Sequence, residues 1–233
     1  QYGSFYPAKN GNGDIIGLAS GFLHLANPDL TPAVNNAYEF AMRYLLNENF
    51  TLSFNAFLND QTDLIGSSGT VNGMYKGIPV GFIEKPVNST ESEAFGGTFR
   101  ADRLFDLGSG ANLRTSLSYS YVDGDIDDEP LVLTAKHTGK LIVTYYNENL
   151  SISLDGMYRS ESHMFGSTNA TPIVSDGFFI ANLFASYKLP FNISVFAKAD
   201  NLLNAKYYVP SQYSSKWPQY PLTVLGGISY RLK

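Results

Sequence analysis

Apolar and polar residues alternate in runs of about 10–14 positions, one run after another from about Asn35 onward. A period of two puts successive side chains on opposite faces of an extended strand, so each run has one apolar and one polar face. Leu150–Arg159 sets Leu150, Ile152, Leu154, Gly156 and Tyr158 against Ser151, Ser153, Asp155, Met157 and Arg159. Phe191–Asp200 sets Phe191, Ile193, Val195, Ala197 and Ala199 against Asn192, Ser194, Lys198 and Asp200, with Phe196 breaking the pattern. Leu52–Asn59, Leu113–Tyr121 and Leu222–Lys233 repeat it, and further strands are expected near Ala37–Leu46, Phe95–Leu104, Gly139–Tyr146 and Phe179–Leu189. That makes about nine strands, each of the length that crosses a bilayer when tilted.

The connections alternate between short and long. Asn47–Asn49, Asp106–Gly110, Asn147–Asn149 and Leu189–Pro190 are short and built from turn formers. Between them lie Gln61–Thr90, Gly124–Ala135, Ser160–Asp176 and Leu203–Tyr220, which read as long links. Outer-membrane barrels segregate loop length in this way, with short turns on the periplasmic side and long loops outside. A soluble secreted β-sandwich has no such reason to do so. Aromatic residues mark both strand ends. Tyr44, Phe50, Tyr145, Tyr187, Phe191 and Tyr230 lie beside the short turns, and Tyr38, Tyr121, Tyr158 and Phe178 lie at the opposite ends. Rings with an apolar body and a polar tip suit a headgroup layer.

Composition narrows the classes further. There is no cysteine, which removes disulfides, cysteine zinc sites and thiol nucleophiles. A net charge of −5 with no Lys/Arg stripe argues against nucleic acid as a partner. No run reaches the roughly 18 apolar residues of a membrane helix, which is no argument against a barrel that hides its hydrophobicity in alternate positions. Gln1–Phe5 lacks the basic start and apolar core of a signal peptide, so either a leader was removed or the sequence begins inside a longer precursor.

Several segments, in order, resemble the TonB-dependent outer-membrane receptors and transporters. Asn27–Glu39 (NPDLTPAVNNAYE) is similar to that family's NP-x-L-x-P-E segment, with Ala33 in place of the glutamate. Phe57–Ile65 (FLNDQTDLI) is similar to its Y-x-N-x-x-x-D-L-I strand top, and Ala94–Phe99 (AFGGTF) stands where the family often has Tyr-Gly-x-Glu. Asn201–Tyr208 (NLLNAKYY) resembles its NL-F-N-x-x-YY signature, just before the last strand.

The resemblance implies an all-β fold, an antiparallel transmembrane β-barrel segment. Residues 1–233 would be the C-terminal portion of a roughly 22-stranded barrel with a plugged lumen, residues 1–34 an extracellular loop leading into the first strand. Nothing here resembles the plug. The implied setting is the bacterial outer membrane. The implied partners are its lipid and lipopolysaccharide, an N-terminal barrel half and plug (on this or another chain), the TonB complex acting through that plug, and a small-molecule ligand. The implied function is energised uptake of a scarce ligand, a ferric siderophore or similar metal chelate first, with haem, cobalamin or a saccharide behind it. No catalysis and no cofactor are expected. The rival from a different class is a passive porin-like or structural barrel assembled from several short chains.

Candidate ligand-binding residues are the aromatics and cations of the presumed outer loops: Tyr6, Phe22, His24, Tyr75, Lys76, Phe82, His163, Phe165, Tyr213, Lys216 and Trp217. Such side chains suit chelated or cyclic ligands through stacking and charge. In haem-uptake members of the family a histidine lies between F-R-A-P and N-P-x-L; here His24 lies between Phe5–Ala8 (FYPA) and Asn27–Leu30 (NPDL), with Tyr6 replacing the arginine. Asp123, Asp125 and Asp127 alternate like the start of a calcium loop, but Asp128 stands where that loop needs glycine and Thr134 where it needs a bidentate acid, so a solvated acidic loop is the expectation. The polar faces carry both signs (Glu39, Arg43, Arg100, Asp102, Arg114, Asp155, Arg159, Lys198, Asp200 and Arg231), which suits an interior that hydrogen-bonds a plug better than an open pore selecting one charge.

Overall fold

The computed structural model describes residues 2–4, 7–18, 22–211 and 216–230, and among these there is no helix. Nine strands carry the architecture: β1 Val34–Asn47, β2 Phe50–Tyr75, β3 Ile78–Gly108, β4 Ala111–Ile126, β5 His137–Tyr146, β6 Leu150–Arg159, β7 Phe178–Leu189, β8 Ile193–Asp200 and β9 Thr223–Tyr230. Each pairs with its neighbours in chain order. From β4 to β9 every pairing is antiparallel in register. β1 to β4 are joined by turns of two residues, which only antiparallel neighbours permit. The chain divides into two compact units, residues 1–36 with 60–93, and residues 37–59 with 94–233.

In the second unit the register sorts side chains as the alternation requires. Leu117, Leu141, Gly156, Ala181 and their neighbours two residues away share one face; Ser118, Lys140, Met157 and Ile180 share the other. The apolar face is uncovered: Leu117, Leu141, Leu154, Phe179, Tyr187, Val224 and Ile228 are all exposed, Ile228 to 76%. Met164 and Ala181 are the only apolar residues of this unit buried among those described. A sandwich would bury one whole face of such a sheet against another. An uncovered apolar row of this extent calls for lipid.

The polar face supplies its own partners. Arg100 makes two hydrogen bonds to Asp102, at 2.7 and 2.9 Å. Lys198 pairs with Asp200 at 2.7 Å and Lys140 with Asp155 at 3.9 Å. The hydroxyls of Thr98 and Ser120, and those of Thr144 and Ser153, meet at 2.9 Å. Phe196, which breaks the alternation, lies on this face because its cross-strand partner is Gly227. A Cβ on that glycine would come within 2.5 Å of the ring, so the missing side chain makes the room the ring occupies.

The strands fall where the periodicity places them, with three departures. Gln61–Thr90 is not a long link. β2 and β3 run on through it and close at Lys76–Gly77, both at positive φ (48° and 78°). Apolar alternation fades after Leu58, but the backbone ladder needs no apolar side chains to continue. Phe191, expected to begin a strand, sits in the turn before β8, and Phe178, expected in an outer girdle, shares the polar face with Arg159 and packs its ring 4.5 Å from that of Tyr207. Arg231 lies outside the described residues.

In the first unit, short strands at Tyr2–Ser4, Pro7–Lys9, Ile15–Leu18 and Phe22–His24 stand within what the sequence presents as a loop. Phe22–His24 adds to β3 in parallel, opposite Phe82–Glu84. Two family-like motifs are explained by amide clamps. Asn27 donates from Nδ2 to the carbonyl of Pro86 at 2.8 Å. Asn88 donates to the carbonyls of Thr31 and Asp63 at 2.9 and 2.7 Å and accepts from the Thr31 amide at 2.9 Å.

Candidate functional site

In the first unit the parallel register opposes Phe22 to Phe82 and His24 to Glu84, while Leu23 between them turns the other way and is buried. The two phenyl rings lie parallel, centroids 5.3 Å apart and planes within 2°. The His24 imidazole meets Phe22 edge-on at 4.2 Å, and its Nδ1 lies 2.9 Å from Glu84 Oε2. Phe82 also lies over Gly69, where a Cβ would approach the ring to 2.6 Å. The fold therefore gathers Phe22, His24 and Phe82 into one aromatic cluster with a carboxylate holding the imidazole. Glu84 was not legible as part of it, because the partnership depends on a strand pairing across 60 positions. At the hairpin tip the Lys76 ammonium stands 5.5 Å from the Tyr75 ring. Tyr6 and Tyr213 lie outside the described residues.

In the second unit, the links after β4 and β6 enclose a cleft of about 410 Å³, lined by Asp123, Asp125, Asp128, Glu129, Lys136, His137, Glu161, His163 and Asn169, among others. The alternating aspartates form a hairpin: Asp125 faces Pro130, Ile126 faces Glu129, and Asp127 and Asp128 make the turn at φ 53° and 61°. That is a two-residue turn with both central residues left-handed, and among the described residues no group of three acids or histidines is placed to hold a metal.

Asn169 ties the far side down, its amide donating to Glu129 Oε2 and its side chain to the Asp128 carbonyl at 2.6 Å. Asp123 accepts from Lys136 Nζ at 2.8 Å and from the Tyr121 hydroxyl at 2.9 Å. The ammonium, more than any other neighbour, holds the Asp123 carboxyl below its ordinary range, and Asp123 in turn raises Lys136. Both lie beyond Tyr121, where the apolar row ends. His163 places Nδ1 2.9 Å from the hydroxyl of Ser167, a buried residue that also accepts from the Ile173 amide. Phe165 and Trp217 are exposed to 53% and 60%, and Lys216 lies 3.8 Å from Asp176.

Of the predicted residues, His163, Asp123 and Asp125 thus share one cleft. The cleft brings a cation, two imidazoles and several acids together.

Residues 1–202 match the family model described as TonB-dependent receptor-like, beta-barrel. The chain belongs to that family. TonB-dependent receptor barrels are bacterial outer-membrane proteins, receptors and transporters by family. Solved structures of the same family share the fold at low identity. The FrpB iron transporter from Neisseria meningitidis (F3-3 variant) is 18% identical with a TM-score of 0.67, covering 92% of this chain and 33% of its own. The outer membrane transporter YddB from Escherichia coli is 12% identical with a TM-score of 0.71, covering 92% and 34%. The pyoverdine outer membrane receptor FpvA from Pseudomonas aeruginosa, bound to pyoverdine, is 13% identical with a TM-score of 0.65, covering 87% and 30%. The chain thus spans about a third of the length of these receptors. No curated protein matches the sequence.

Proposed function

We propose that this chain forms the C-terminal barrel portion of an outer-membrane receptor that takes up a scarce ligand, a ferric siderophore or similar metal chelate, by TonB-dependent energised transport. The observation that carries the reading is the nine-strand meander with an uncovered apolar row on one face and a mixed-charge polar face on the other. Likeness to an iron transporter and to a pyoverdine receptor, neither above 18% identity, favours the metal-chelate class. A plug and the TonB complex are the partners that class requires.

Strand direction weighs against the rival multichain barrel. In an antiparallel meander of nine strands the first and ninth run the same way. Copies of this chain inserted in one orientation would meet β9 to β1 in parallel, against the antiparallel pairing of outer-membrane barrels. The remainder of the barrel must therefore bring an odd number of strands. The deciding experiment is ligand uptake by cells carrying the receptor with and without TonB. Ferric-chelate uptake that stops on TonB deletion supports the proposal; flux that continues unchanged sinks it in favour of a passive pore.

A further inference from the structure

We infer that Arg103 and Glu48 hold the headgroup of a phosphatidylethanolamine-type lipid, its phosphate on the guanidinium and its primary amine on the carboxylate, an inference that rests on the barrel reading above. Period two along β3 puts Thr98, Arg100 and Asp102 on the polar face, where Thr98 meets Ser120, and puts Phe99, Arg103 and Phe105 on the apolar one. Among the described residues of β1 to β9 in the second unit, no other basic side chain lies on that face. Arg103 is exposed, its guanidinium 4.4 Å from the centroid of the Phe105 ring and 5.4 Å from that of Phe50. Among the described residues the guanidinium has neither an ion pair nor a hydrogen-bond acceptor. Rings attract the cation without using its N–H donors. A cation on a lipid-facing surface is costly unless it reaches the headgroups.

The level of this arginine and its neighbours identify the occupant. The Leu104 amide donates to the Asn49 carbonyl at 2.8 Å. Arg103 therefore stands level with the Asn47–Asn49 turn, on the short-turn side that barrels keep periplasmic. The anion a bilayer offers at that level is a lipid phosphodiester, which the guanidinium fork matches with two parallel N–H donors. Acids stand close by: Arg103, Phe105, Glu48 and Asp106 line one hollow of about 600 Å³. Asp106 commits Oδ1 to the Gly108 amide at 2.8 Å. Glu48 is exposed in the turn and makes no ion pair among the described residues. A headgroup of net negative charge would meet these carboxylates unopposed, and a quaternary amine offers Glu48 no N–H donor. A phosphate with a primary amine a few bonds away answers both charges.

The test is native mass spectrometry of the complete receptor, released from detergent micelles that hold equal amounts of dioleoyl phosphatidylethanolamine, phosphatidylcholine and phosphatidylglycerol. The unsubstituted receptor should retain the ethanolamine lipid about fivefold more often than either of the others. Arg103→Gln should bring that retention down to the level of the choline lipid. Glu48→Gln, a change confined to an exposed turn, should keep phosphate binding and abolish the preference for ethanolamine over glycerol. Equal retention of the three lipids by the unsubstituted receptor overturns the inference, and so does a preference for the glycerol lipid. An ethanolamine preference that survives both substitutions overturns it as well. A receptor that retains no lipid of any class and shows no heat-modifiable gel mobility overturns the barrel reading itself.

Discussion

The side-chain amide of Asn201 donates to the backbone carbonyl of Tyr220 at 3.1 Å, tying the end of β8 to the approach to β9. The same amide donates to the Ala205 carbonyl at 2.8 Å, its oxygen accepts from the Ala205 amide at 2.9 Å, and the Asn201 amide donates to Asn182 Oδ1 at 2.8 Å. Asn201 is 3% exposed and left-handed at φ 52°. The asparagine of the NL-F-N-like signature is thus a clamp on the 203–220 link. Asn201→Ala should cost roughly 1–3 kcal/mol by leaving buried carbonyls unpaired, read as faster proteolytic nicking within the link. Asn201→Asp, which keeps the acceptor and loses both donations, should be no better. Unchanged nicking in both would show the clamp to be idle.

Two glycines should differ in how badly they tolerate alanine. At Gly96 a Cβ would lie 2.3 Å from the backbone oxygen of Tyr121; at Gly227 it would lie 2.5 Å from the terminal carbon of the Phe196 ring. A ring end can swing and a ladder carbonyl cannot. Gly227→Ala should cost about 1–3 kcal/mol, much of it recovered when Phe196→Ala is added. Gly96→Ala should cost more and be rescued by no side-chain truncation. Denaturant unfolding in detergent micelles orders the three variants.

The limits of reading this chain from sequence follow from the same physics. Lipid writes its pattern into every second residue, so β5, β6 and β7 were placed to within two residues at each end by alternation alone. Along Asp60–Glu93 alternation lapses, and the long hairpin reads from sequence only as a link between strands. Cross-strand partnerships such as His24 with Glu84, or Phe196 with Gly227, depend on register between segments, and no local pattern carries register. The Asn201 motif was visible as a resemblance, but its work as a clamp was not.

The Asp123–Lys136 pair predicts a one-sided pH response in the cleft. A lowered Asp123 contributes stability that is present above its ordinary carboxylate range and is lost as pH falls through its folded value. A raised Lys136 contributes stability present below its ordinary range and lost only as strongly alkaline pH passes its folded value. Between neutral and moderately alkaline pH the pair should be flat. Because Lys136 is 54% exposed, its worth is held to about 0.2–1 kcal/mol. Amide exchange at Gly124, whose N–H donates to Asp123 at 3.0 Å, should speed up on acidification beyond its intrinsic pH dependence. Asp123→Asn should remove that excess, and an excess that survives the substitution places the titrating group elsewhere.

The aromatic cluster of the first unit should govern ligand affinity without governing assembly. Phe82→Ala removes one half of the Phe22 stack and the cover over Gly69, while the ladder from Phe22–His24 to Phe82–Glu84 is made by backbone and persists. The loss of one well-placed ring is expected to weaken ligand binding by about tenfold, equivalent to about 1.4 kcal/mol. Glu84→Gln should weaken it less, since the amide oxygen can still accept from the imidazole in its Nδ1–H form. Both variants should reach the outer membrane in normal amount and keep heat-modifiable gel mobility. Ferric-chelate uptake measured over a range of concentrations then separates the cases: a raised half-saturation with unchanged maximal rate places the cluster in ligand capture. A fall in maximal rate alone assigns it to the transport step, and no change in either removes Phe22, His24 and Phe82 from the binding surface.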